Sequence, residues 1–193
     1  MHRLLLVLLA AMLVLGCSKN KKGADDTTVT GDPFDVAAND AALAQDADYL
    51  PGDMPLAEAA GRFGEPGSGL LDPAVDAEAR MVLRDVHFAY DSSTILPNDA
   101  AILQQIGAFL KRYPNVLIQI EGHCDERGTE EYNMALGSRR AGAIRQFLAD
   151  LGIDPNRLYT ISYGEMRPLD PGHTEAAWAQ NRRGHFLVGL AGR

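Results

Sequence analysis

Apolar and polar positions divide the chain into three stretches. Residues 4–15 form an unbroken apolar run behind a short head, Met1-His2-Arg3. Residues 18–79 are rich in Ala, Asp, Gly and Pro, with few branched apolar residues and no sustained period. From Val82 onwards the pattern switches regularly between strand-like and helix-like periods. It predicts a strand about Val82–Tyr90, a helix about Pro97–Tyr113 and a strand Val116–Gly122. A helix Thr129–Leu151, a strand Leu158–Tyr163, a short helix about Glu175–Gln180 and a strand Gly184–Leu190 follow. Alternating strands and helices imply an α/β domain, in which a sheet is covered by helices.

The first stretch is too short to span a bilayer comfortably and reads as a cleaved export signal over residues 1–16. Val14-Leu15-Gly16-Cys17 resembles the bacterial lipobox, which makes Cys17 the expected lipidation site, and Ser18 after it points to the outer membrane. Buried acyl methylenes contribute about 0.8 kcal/mol each, so two or three chains anchor a protein stably. With Cys17 acylated, Cys124 has no intramolecular partner, and burial of its thiol is expected.

Charge separates the second stretch from the third. Residues 17–80 carry five Lys/Arg against thirteen Asp/Glu, and residues 81–193 carry twelve against thirteen. An acidic segment poor in apolar residues cannot offset its ordering entropy, so residues 17–80 are expected to form an extended, disordered tether. About 60 such residues have a root-mean-square span of roughly 40 to 50 Å and a taut limit near 200 Å. Within them Pro55–Phe63 could form a transient helix. The near-neutral third stretch has no basic stripe and no Gly-rich phosphate loop, which argues against nucleic acid.

In the helix 97–113, Ile102, Leu103, Ile106, Phe109, Leu110 and Tyr113 recur at helical spacing, Pro97 starts the helix and Pro114 stops it. The helix 129–151 carries a conflict. Leu136, Ala143, Ile144, Phe147 and Leu151 form an apolar stripe, and Arg140 lies near its middle. An unpaired buried charge costs several kcal/mol, so Arg140 either pairs with an internal acid, snorkels to water or meets an anionic ligand. Before this helix, polar residues 121–128 gather between a strand's end and a helix start, where open α/β folds place ligands, with Thr129 as N-cap. Asp125 is the second candidate there. Asp125 and Arg140 suit a zwitterionic ligand, or they neutralise each other.

The run Glu121-Gly122-His123-Cys124-Asp125-Glu126-Arg127-Gly128-Thr129 and the later Ala135-Leu136-Gly137-Ser138-Arg139-Arg140-Ala141 resemble the signature of the peptidoglycan-associated lipoproteins, within the OmpA-like superfamily. Phe88-Ala89-Tyr90-Asp91-Ser92, Ser162-Tyr163-Gly164-Glu165 and His173–Trp178 with Asn181-Arg182-Arg183 extend it over about residues 84–190. The resemblance implies an OmpA-like βαβαβ(α)β domain over 81–193, a mixed sheet covered by helices, that binds the diaminopimelate of the wall stem peptide without turnover or cofactor. It implies that Asp125 and Arg140 are the ligand acid and arginine, that Tyr90 and Asp91 stand on the loop after the first strand, and that Leu136 is an apolar wall. It further implies a Tol-Pal role in envelope integrity and cell division, with peptidoglycan, the β-propeller protein TolB and other Tol proteins as partners.

Other chemistry is weaker. His123, Cys124, Asp125 and Glu126 are zinc-competent types, but consecutive turn residues rarely converge on one ion. A Cys-His wall hydrolase would need its two groups facing each other from separate elements. His173 and His185 read as surface or satisfied residues, Trp178 with Tyr159 and Tyr163 as packing, and Asn181-Arg182-Arg183 as a partner surface or a solvated helix end. The competing functions are an OmpA-like wall anchor of another assembly and a wall hydrolase.

Overall fold

The computed structural model describes residues 61–191. The export signal, Cys17, the tether over 17–60 and most of the helix expected at Pro55–Phe63 lie outside the described residues.

The described elements run α1 (Pro73–Val82), β1 (Val86–His87), α2 (Pro97–Arg112), β2 (Val116–His123), α3 (Glu130–Asp150), a 3-10 turn (Pro155–Arg157), β3 (Leu158–Gly164), α4 (Glu175–Asn181) and β4 (Arg183–Leu190). The sheet order is β1-β4-β2-β3, with β2 and β3 parallel and β4 antiparallel to both β2 and β1. Ile118, Ile120, Phe186 and Val188 from the sheet join Leu103, Ile106, Phe109, Leu110, Ile144 and Leu148 of α2 and α3 in one core.

Two expectations are corrected. Residues 61–80, assigned to the tether, are packed on the domain. Gly64 exchanges backbone hydrogen bonds with Val188 at 2.9 and 2.8 Å, Phe63 lies 5.4 Å from the Tyr159 ring, and Leu71, Ala79 and Leu83 are buried. Pro73 at the first turn and the Asp72 carboxylate, which accepts from Ala74 N at 3.0 Å, start α1. Val75, Ala79 and Val82 recur at helical spacing along it and pack on the core, so local pattern and tertiary burial act together. Burial of one large apolar side chain contributes about 1.5 to 3 kcal/mol.

The strand expected over Val82–Tyr90 contracts to Val86–His87. Val82 closes α1, and beyond His87 the carbonyls of Phe88 and Ala89 accept from Arg182 and Arg140 instead of joining a ladder. Asp91, with φ 50°, then turns the chain away.

α3 begins where expected. Thr129 Oγ1 accepts from Tyr132 N at 3.2 Å, and Gly128, at φ 118°, supplies the preceding turn. The helix crosses β2 backbone to backbone: a Cβ on Gly122 would stand 1.9 Å from Gly137 O, and one on Gly137 would stand 2.2 Å from Ser162 Oγ. This approach lays the next turn of α3, and with it Arg140, against the C-terminal end of β2.

Alternation along β2 separates the two sheet faces. Ile118 and Ile120 face the helices, whereas the equally buried Gln119, Glu121 and His123 face the other way. Gln119 Nε2 donates to Glu121 Oε1 at 3.0 Å, and the His123 ring stacks on Tyr163 at 5.6 Å. His185 joins that face, bridging Asp85 at 2.7 Å and Glu65 at 3.1 Å.

Candidate ligand-binding site

The C-terminal ends of β1 and β2, the first turns of α3 and the junction of α4 with β4 converge at one end of the sheet. Between them opens a pocket of about 200 Å³, lined by Tyr90, Asp91, Asp125, Arg127, Leu136 and Arg140 among others. All five residues expected at a wall-binding site, Tyr90, Asp91, Asp125, Leu136 and Arg140, therefore line one cavity. Cys17, the expected lipidation site, is outside the described residues.

Arg140 is 1 % exposed and forms no ion pair among the described residues. Its Nε donates to Ser92 O at 2.9 Å, Nη1 to His123 O at 2.8 Å and Cys124 Sγ at 3.3 Å, and Nη2 to Ala89 O at 3.2 Å. Its Cζ stands 5.2 Å from the Phe88 ring centroid. Burial lowers its pKa, with Cys124 and Asp125 opposing, yet a guanidinium stays ionised at any working pH. The charge on the apolar stripe is thus stabilised by carbonyl dipoles, which stitch the loop after β1 to the end of β2. Of the two alternatives the sequence left open, mutual neutralisation of Arg140 and Asp125 is not the one formed: neither is the other's hydrogen-bond partner.

Asp125, also buried, pairs with two other arginines. Arg127 forks onto it, Nε to Oδ1 at 3.1 Å and Nη2 to Oδ2 at 2.8 Å, and Arg182 Nη1 reaches Oδ2 at 3.1 Å. Burial pushes the carboxyl pKa up, but these hydrogen bonds outweigh it and hold Asp125 below the usual carboxylate range. Arg127 lies between two rings, 4.1 Å from the Tyr90 centroid and 4.2 Å from that of Trp178. Trp178 Nε1 donates to Glu126 Oε1 at 2.9 Å.

Around this pair stand supporting contacts. Asn133, buried in the second turn of α3, donates from Nδ2 to the carbonyls of Asp125 and Arg127, each at 3.2 Å, and to Glu165 Oε2 at 2.6 Å. Tyr132 donates its phenolic hydrogen to Asp91 Oδ1. Leu136, 5 % exposed, supplies an apolar floor.

Sequence reasoning passed over Arg127, Asn133 and Arg182 as site residues. Arg127 stood inside the quoted signature without a role. Asn181, Arg182 and Arg183 are neither a partner surface nor a solvated helix end: all three are buried. Asn181 Oδ1 caps Leu169 N and Asp170 N, and Arg182 reaches Phe88 O and Asp125. A run of two arginines after a helix gives no local sign that it turns inward.

Cys124 and His123 engage different partners. Cys124 Sγ donates to Asn133 O at 3.3 Å, and burial pushes its thiol up to about 11, which leaves it un-ionised at neutral pH. His123 pairs instead with Glu121, and burial lowers its pKa. No group of three or more His, Cys, Asp or Glu side chains suited to a metal ion occurs among the described residues. No described helix is long and apolar enough to cross a membrane.

Comparison with known proteins decides the family. The chain is 41 % identical over 138 residues to a peptidoglycan-associated lipoprotein of Agrobacterium fabrum, covering 71 % of this chain and 78 % of that one. It belongs to the peptidoglycan-associated lipoprotein family. A relative from Legionella pneumophila is 34 % identical over 96 % of this chain and 94 % of its own. The OmpA family pattern matches residues 87–182. The crystal structure of the peptidoglycan-associated lipoprotein from Burkholderia pseudomallei superposes with a TM-score of 0.55 at 39 % identity, covering 64 % of this chain and 99 % of that one. The C-terminal domain of Helicobacter pylori MotB, at 21 % identity and a TM-score of 0.53, shares the fold. The α/β architecture read from the alternation of elements and the OmpA-like domain implied by the resemblance are thus the observed ones, and proteins of this family are not enzymes.

Proposed function

We propose that this chain tethers the outer membrane to the cell wall by non-covalent binding of peptidoglycan, with the diaminopimelate of the stem peptide held in the pocket. The observation that carries the reading is the pocket itself. Acids (Asp91, Asp125), a carbonyl-anchored guanidinium (Arg140), an exposed aromatic ring (Tyr90) and an apolar floor (Leu136) surround about 200 Å³. That volume is below the range of drug-sized sites and matches an amino-acid side chain better than a disaccharide. A short aliphatic chain ending in an ammonium and a carboxylate complements this lining: the charge of Arg140, which forms no ion pair among the described residues, favours the carboxylate, Asp91 and Asp125 favour the ammonium, and Leu136 packs the methylenes.

In this reading acyl chains on Cys17 hold the outer membrane, residues 17–60 span the gap, and the domain grips the wall reversibly during growth and division. TolB and other Tol proteins are its protein partners. The names of its relatives, lipoproteins associated with peptidoglycan, support the wall as ligand.

The test is sedimentation of the purified full chain, in detergent, with isolated sacculi. Wild type pellets with the wall, Asp125→Ala and Arg140→Ala are each released at least about tenfold more readily, and free meso-diaminopimelate competes, since loss of a charge-assisted contact is worth roughly one decade or more. Equal sedimentation of all three proteins would move the site elsewhere. No sedimentation by any of them would sink wall binding.

A further inference from the structure

Asp125 has no vacant place for a ligand. Oδ1 accepts from the backbone N–H of Arg127 at 3.1 Å and from Arg127 Nε at 3.1 Å, and Oδ2 accepts from Arg127 Nη2 at 2.8 Å and Arg182 Nη1 at 3.1 Å. A carboxylate offers about four lone-pair sites, so an incoming ammonium has to replace one of these donors. The two guanidiniums differ in how readily they leave. Arg182 is buried, with Nε committed to Phe88 O at 3.1 Å and Nη2 to Glu175 Oε1 at 2.8 Å. The Arg127 side chain is 29 % exposed, and its other ionic contact is with Glu175, itself 64 % exposed, at 3.4 Å. Tyr90 and Trp178 grip it by its faces, which permits sliding out between them.

We infer that Arg127 is a specificity-determining internal cation, whose guanidinium occupies the ligand ammonium's place on Asp125 and swings aside when the ligand binds. The inference rests on the reading of the pocket as a diaminopimelate site. It follows that the site never presents a bare buried carboxylate, which would cost several kcal/mol. A ligand lacking an ammonium cannot replace a forked guanidinium. A ligand that has one exchanges one charge-assisted pair for another, so the net gain is small and the grip is reversible. The displaced guanidinium keeps Glu175 within reach, while the two aromatic faces are freed.

The chain holds a single tryptophan, and it is Trp178, so its emission reports whether the cation is on the ring. The purified full chain in detergent is titrated with meso-diaminopimelate and with pimelate, the same diacid without ammonium groups. In wild type, meso-diaminopimelate changes Trp178 emission saturably and pimelate does not. Arg127→Gln binds meso-diaminopimelate about fivefold tighter, as expected for removal of a partly exposed forked pair, gains nothing for pimelate, and loses most of the emission change. Arg127→Lys, which keeps the charge without the fork, falls between. If Arg127→Gln melts early, Arg127→Lys decides alone. Equal or weaker binding by a folded variant overturns the inference, because Arg127 would then be a ligand contact. If neither wild type nor variant binds meso-diaminopimelate, and sacculi sediment all variants alike, the reading of the pocket itself fails and the inference with it.

Discussion

Arg140 and Arg127 line the same pocket and are held in opposite ways. Arg140 sits on the helix wall, inaccessible to solvent, with its N–H groups spent on carbonyls of β2 and of the loop after β1. Arg127 sits on the loop wall, partly exposed, forked to a carboxylate and stacked between rings. A cation tied to three neutral carbonyls of two chain segments cannot move without loosening both. A cation tied to one acid can be replaced by another cation. One wall of the site is therefore built for fixed geometry and the other for exchange.

The fixed wall depends on the approach of β2 and α3 at Gly122 and Gly137, so the largest effect comes from there. Gly122→Ala places a methyl group against the Gly137 backbone, which cannot retreat as a flexible side chain would. It is expected to cost more than about 3 kcal/mol of folding free energy, measured by denaturant unfolding. A loss below about 1 kcal/mol would mean that the two elements can separate without penalty.

A direct comparison comes next. Arg140→Leu leaves buried carbonyls without donors and is expected to lower stability by about 3 kcal/mol, whereas Arg127→Leu costs about 1 kcal/mol or less, as for other partly exposed pairs. Chemical denaturation of the two variants side by side tests the contrast, and equal losses would erase the distinction between the walls.

The smallest expected effect lies on the other sheet face, where pH acts in the opposite sense to the pocket acid. His185, half-buried but hydrogen-bonded to Asp85 and to Glu65, has its pKa raised to about 9. Because the folded value exceeds the unfolded one of about 6.5, its contribution is full below about pH 6.5 and is lost as pH rises through about 9. With Glu65 largely exposed, the contribution is expected to be about 1 kcal/mol. His185→Gln should flatten the decline in melting temperature between those values. The depressed pKa of Asp125 works the other way: its contribution is present above about pH 4 and lost as pH falls through the lower folded value. An unchanged alkaline profile in His185→Gln would show that the bridge to Asp85 carries no net stability.

Most of the domain was legible from residue pattern. α2, β2, α3, β3, α4 and β4 lie within a residue or two of the segments their periodicity indicates, because each carries its own apolar face and its own start or stop signal, such as Pro97, Pro114 and Thr129. α1 and the shortened β1 were missed. Val75, Ala79 and Val82 do recur at helical spacing, but they make one short helix at the end of an acidic stretch rich in Ala, Gly and Pro, and the early end of β1 is imposed by arginines 51 and 94 residues further along.

The site divides in the same way. Sequence by itself determined that a charge had to be accommodated on the apolar face of α3, that polar groups gathered after β2, and that Asp125 and Arg140 belonged to a family signature. These are properties of residue type and spacing, which survive without coordinates. Only the tertiary structure decided which guanidinium meets which acceptor: Arg140 the backbone, Arg127 and Arg182 the carboxylate of Asp125. Such pairing follows from the directions in which distant segments aim their side chains once β2 and α3 have closed on each other, and no local pattern encodes that direction.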